Sequence, residues 1–184
     1  RDEKRAPGPH MAGMTDTPLR QPSLFIPHGG GPCFFMDDPR GMWRGMEAYL
    51  CSLPARLPEP PRAILLVSAH WEAQGFGFTS GARPGLIYDY YGFPPHTYEL
   101  RYDAPGDPAL AARAASLLAE AGFTAGLAEK RGWDHGVFVP LKVAWPEAEV
   151  PVVEMSLDAS LDPALHLAAG RALAPLRDEG VLII

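Results

Sequence analysis

Three histidines in this chain are placed where an imidazole could do chemistry. His28 follows LFIP and precedes Gly29, Gly30 and Gly31; His70 closes the run AILLVSAH; His135 stands in RGWDHGVFVP between two glycines. A neutral imidazole can give its lone pair to a metal, or take and return a proton near neutral pH. In open α/β sheets, ligands sit beyond the carboxyl ends of the strands, so His28 and His70, each after an apolar run, could face one crevice. One strand-end histidine alone is more often structural. Two at equivalent positions, one beside a triple glycine, favour a shared ion. Imidazole suits Zn, Fe, Cu or Ni alike, so the pair does not choose the metal.

The neighbouring residues refine this reading. Gly29-Gly30-Gly31 lacks the lysine and Ser/Thr of a phosphate loop, no G-x-G-x-x-G opens a helix, and Pro32 removes a backbone donor. Clearance around His28 is therefore the better account of the glycines. Glu72 lies two residues past His70, and strand alternation would put both on one face. It is expected to orient a ligating histidine, with completion of a two-His-one-carboxylate set as the fallback. His135, on a glycine-flanked loop, suits a general acid or base; the competing reading is a cap on a helix starting near Val137. Asp134 would cap or brace that loop. The stretch YDYYGFPPHTYELRY either covers the core or lines a pocket for a planar substrate, with Tyr91, Phe93 and Asp134 as the pocket candidates. His96 and His166 are expected at the surface without a site role.

These residues need a scaffold. Apolar runs at residues 24–26 (LFI), 63–68 (AILLVS), 150–155 (VPVVEM) and 181–184 (VLII) read as buried strands. Helical patterns lie between them. GMWRGMEAYLCSL carries an apolar face, and DPALAARAASLLAEAG has Asp107 as N-cap, Pro108 at the first position and Gly122 as the stop. LDPALHLAAGRALAPLRDEG repeats that grammar with Asp162, Pro163 and Gly180. The implied fold is a single α/β domain, a mostly parallel central sheet with helices on both faces. Residues 1–22 lack periodicity and include a cloning-like Gly-Pro-His-Met, so they and His10 are set outside the domain of residues 23–184. VLII ends the chain with no following helix. The domain is thus expected to continue beyond Ile184 and to draw a covering helix and further metal ligands from there.

Composition narrows the function classes. The 184 residues suit one domain, and a formal net charge of -6 gives no general attraction for nucleic acid or an anionic membrane. No signal-peptide pattern opens the chain, and two cysteines point to a reducing cytoplasm. Small-molecule chemistry remains.

Taken together and in order, PHGGGP, SAHWE, YDYYGFP with YELRYDAPG, GWDHGVFVPL and VPVVEMSLD resemble the class III extradiol ring-cleaving dioxygenases, in particular the DOPA-4,5-dioxygenase-like branch with its protocatechuate 4,5-dioxygenase beta-subunit-like fold. The resemblance covers residues 23–184. It implies one mononuclear non-haem Fe(II) or Zn(II) per chain, His28 and His70 as ligands, and His135 as the acid–base group. It also implies a small aromatic diol and O2 as partners, with neither nucleic acid nor membrane, and is compatible with a homo-oligomer. The alternatives from other classes are a zinc-dependent hydrolase using the same cleft and a non-catalytic binding protein on this fold.

Overall fold

Alternate residues of AILLVS face opposite ways, and this places helices on both sides of the sheet. In the computed structural model, which describes residues 19–184, strand β1 runs Ala63–Ala73. Its Ala63 and Leu65 join a core with helices α2 (Pro108–Glu120) and α4 (Pro163–Leu173). Its Ile64 and Leu66 join a second core with helix α3 (His135–Ala144), behind which packs helix α1 (Arg44–Arg56). Each Leu, Ile or Phe so buried contributes about 1.5–3 kcal/mol.

The remaining strands are β2 (Phe76–Thr79), β3 (Ala125–Ala128), β4 (Val152–Asp158) and β5 (Val181–Ile183), in the order β3-β2-β4-β1-β5. Strand β1 pairs in parallel with β4 and β5, and β2 with β3; the β2–β4 contact alone is antiparallel. The fold is α/β with a mostly parallel sheet. The helix starts are as expected: Asp107 accepts from the Leu110 N–H and Asp162 from the Ala164 N–H, and Gly122 takes φ of 88° after α2. Helix α4, however, ends at Leu173, and Gly180 (φ 78°) closes a short 3-10 segment, Ala174–Glu179, that follows it. Among the described residues, no helix is long and apolar enough to cross a membrane.

The structure departs from the sequence reading in three places. Residues 24–26 do not form a ladder strand. They run extended beside β5, held by a Ser23–Ile183 bridge and the Leu24 N–H on Ile183 O. The prolines at 22 and 27 leave no room for continuous pairing. Strands β2 and β3 went unread because FGFT and AGLA are short and glycine-bearing, with too few apolar residues to show a period. Finally, Gln21 is fully buried, bonding Arg177 O through its backbone and Glu59 O through its side chain, and Arg20 pairs with Asp178. Residues 19–22 therefore belong to the fold. The cloning-like residues, His10 included, lie outside the described residues.

Candidate metal centre

The site is built by three elements meeting at the carboxyl end of β1. The β1–β4 ladder breaks between Val67 and Glu72, and His70 sits within that break. His28 arrives from the extended segment beside β5. There Gly29 and Gly31 adopt φ of 76° and 52°, where a Cβ would strike Cys33 Sγ and, at 2.7 Å, the Phe93 ring. The glycines thus let the loop close on Cys33 and Phe93; making room around the His28 ring is not their role. His135 is the first residue of α3, and Asp134 is its N-cap, accepting from Gly136 N at 3.0 Å. The helix begins two residues earlier than Val137.

The result is a cluster of three imidazoles. His28 and His70 face each other through their Nε2 atoms at 3.0 Å, and one nitrogen of each of the three rings lies within 4.8 Å of the others. Two nitrogens each about 2.0–2.2 Å from one ion stand roughly 2.8–3.6 Å apart, so the His28–His70 pair already has ligand spacing. His28 Nδ1 is buried without a hydrogen-bond partner, so neither ring nitrogen of His28 is engaged elsewhere. Burial, then the neighbouring His135 and His70, holds the His28 pKa below its usual value. A neutral His28 with its lone pair available is what a metal requires. The donor set fits a first-row transition metal.

Other sequence candidates fall elsewhere. Glu72 is exposed and outside the cluster, because the broken ladder ends simple alternation from His70. A carboxylate that the sequence reading missed, Asp89, contacts His135 instead: it accepts from His135 N at 2.9 Å and contacts Nδ1 at 2.8 Å. Partial burial works to raise the Asp89 carboxyl, but these hydrogen bonds outweigh it and hold the pKa low. Tyr91 is 90% exposed, because Tyr90 turns inward against Phe93, Tyr98 and His135. Phe93 covers Gly31. Asp134 is buried beneath the site. His96 is exposed and contacts Phe35 O, whereas His166 is half-buried and braces Asp158 N and Asp162 O.

Beneath the histidines runs a polar network that the sequence reading missed. Ser68 donates to Asp134 at 2.7 Å and accepts from His70 N at 3.2 Å. Arg131, stacked 4.2 Å over Trp71, donates to Asp134 and to Glu154 of β4. Glu154 also accepts from Asp134 N. A carboxylate in the apolar run VPVVEM was the available signal. Burial, then Asp134, pushes its pKa up to about 9 against the pull of Arg131. That direction favours the protonated acid even beside Arg131.

Two predictions arise here. Between about pH 4.5 and 9 the native state keeps a proton on Glu154 that the unfolded chain has released, so this contribution to stability falls as pH rises. Glu154→Gln, which mimics the neutral acid, is expected to flatten the decline of thermal midpoint across that range; equal slopes in both proteins would mean Glu154 is ionised. Gly136 is the second case. A Cβ there would meet His70 Cδ2 and Ser68 Oγ at 2.8 Å each. Gly136→Ala should displace His70 and weaken metal binding about 10–100-fold, the range for loss of a supporting contact, as read by titration with a competing chelator.

A cavity of about 450 Å³ opens beside His28, lined by apolar side chains including Phe25, Ile26, Met46, Leu66 and Ile184. Fold and site together define an α/β protein with a histidine-rich centre able to hold a metal at the carboxyl end of its sheet. The model of the catalytic LigB subunit of aromatic ring-opening dioxygenase matches residues 24–184, and the chain belongs to this family. It is 45% identical over 173 residues to the dioxygenase tasH of Hapsidospora irregularis, a match covering 89% of this chain and 52% of that one. It is 42% identical over 163 residues to a 4,5-DOPA dioxygenase extradiol of Beta vulgaris, covering 88% and 59%. The crystal structure of an uncharacterized protein from Escherichia coli K12 superposes with a TM-score of 0.60 at 37% identity, over 75% of this chain and 50% of that one. The chain thus spans between half and three-fifths of the length of these curated relatives.

Proposed function

We propose that this chain carries the metal-binding core of an extradiol dioxygenase, which inserts both atoms of O2 beside the diol of a catechol and opens the ring. The observation that carries the reading is the convergence of His28, His70 and His135 on one centre, in a member of the LigB family. His28 and His70 would hold the metal through neutral imidazoles. Fe(II) is the ion proposed for ring cleavage, with Zn(II) able to take the same nitrogens. When bound, such a metal would supply Lewis-acid activation of the diol and O2.

The chain's own groups do the rest. His135 Nε2, with Nδ1 turned to Asp89, takes a phenolic proton from the catechol as it binds and returns a proton once the ring opens. The apolar cavity beside His28 receives the flat ring. The name of the Beta vulgaris relative makes 3,4-dihydroxyphenylalanine the first catechol to try. The free thiols of Cys33 and Cys51 support a reducing cytoplasm as the compartment.

The test is a ring-cleavage assay with Fe(II) or Zn(II) supplied, run in air and under nitrogen. Stoichiometric O2 uptake, with a coloured semialdehyde product formed in air alone, is the expected result. Turnover that persists without O2 would instead identify a hydrolase, and metal binding without turnover of any catechol would identify a binding protein.

A further inference from the structure

We propose that Asp89 is the positioning residue of His135, and that the aromatic loop around it serves to hold this carboxylate in place. The inference rests on the acid–base role given to His135 above.

The loop is latched to the segment ahead of α3. Trp133 N donates to Gly85 O at 2.9 Å, and Ile87 N to Trp133 O at 2.7 Å, so residues 85–87 run in parallel beside Trp133. Two residues further along each chain, Asp89 meets His135. The flanking tyrosines fix the carboxylate from both sides. Tyr88 donates its hydroxyl to Leu100 O and packs on Phe138; Tyr90 donates to Thr97 O and stands edge-on to the His135 ring, 5.7 Å between centroids. With Tyr90 only 7% exposed, the loop has little freedom to move Asp89.

A single atom, Asp89 Oδ1, receives both the backbone N–H and the ring nitrogen of His135. The backbone contact alone would be an ordinary service to an orphan donor at a helix start. The ring contact does more. An ionised carboxylate only accepts, so Nδ1 must carry the proton, and the Nε2 lone pair is left for the cluster. Asp89 thus sets which nitrogen of His135 is basic. It lies outside the three-imidazole cluster and contacts His135, so it acts through that ring.

The test is the tautomer itself, read by 15N NMR of histidine-labelled protein, without metal and loaded with Zn(II). The wild type is expected to show His135 protonated at Nδ1, and Asp89→Ala to show a mixture or the opposite tautomer. In the iron-loaded protein, Asp89→Ala should keep its metal and lose about 10–100-fold in kcat. Because both contacts use one oxygen, the amide of Asp89→Asn can replace them without the charge, and its kcat should fall between the two. If the wild type carries the proton on Nε2, or if Asp89→Ala leaves the tautomer unchanged, the proposal fails; the first of these needs no variant to fold. If the tautomer follows Asp89 but Asp89→Ala loses its metal, Asp89 still positions His135, and the acid–base reading falls because His135 is then a ligand.

Discussion

His70→Ala is expected to fold and to bind no stoichiometric Fe(II) or Zn(II), with ring cleavage falling to background. His70 is exposed, so removing its ring leaves no buried cavity and should cost little stability. Its Nε2 is nevertheless 3.0 Å from that of His28, the spacing of two ligands on one ion. The loss of affinity should exceed the roughly 10–100-fold produced by removing a supporting contact. Metal analysis after gentle desalting, beside a thermal melt without metal, separates binding from folding. A variant that keeps one equivalent of metal would show that the ion sits elsewhere.

His135→Ala is expected to give the complementary result, with metal retained and kcat lower by about 10²–10⁴-fold, the usual contribution of a positioned acid–base group. His135 is 6% exposed and begins α3, where Asp134 remains as N-cap, so the helix start should survive the change. Because His135 takes a proton as the catechol binds and returns one once the ring opens, both kcat and kcat/KM should fall. If His135→Ala loses metal as readily as His70→Ala, the third imidazole is a ligand.

The contrast between these two variants marks how far the sequence could be read. The residue types and glycine settings of PHGGG, SAHWE and GWDHG singled out the three histidines that the structure brings within 4.8 Å. Which of them is the acid–base group and which the ligands is not a property of spacing. It depends on what the other ring nitrogen touches. Asp89 was passed over because it lies 46 residues from His135 and inside an aromatic stretch that looked like core cover. Glu72 drew attention by sequence proximity, and the irregular β1–β4 ladder then removed it from the cluster.

By itself the sequence determined what is local and periodic. Alternation in AILLVS, the Asp-Pro helix starts at 107 and 162, and the glycine stop at 122 depend on neighbours within a few residues, where backbone geometry leaves few choices. Tertiary structure alone decided the rest: the short strands β2 and β3, the burial of Gln21, the closure of the glycine loop on Phe93, and the Ser68–Asp134–Arg131–Glu154 network. These depend on partners brought together from distant parts of the chain. Burial supplies the energetic reason, since a polar group removed from water must find its hydrogen bonds wherever the fold delivers them.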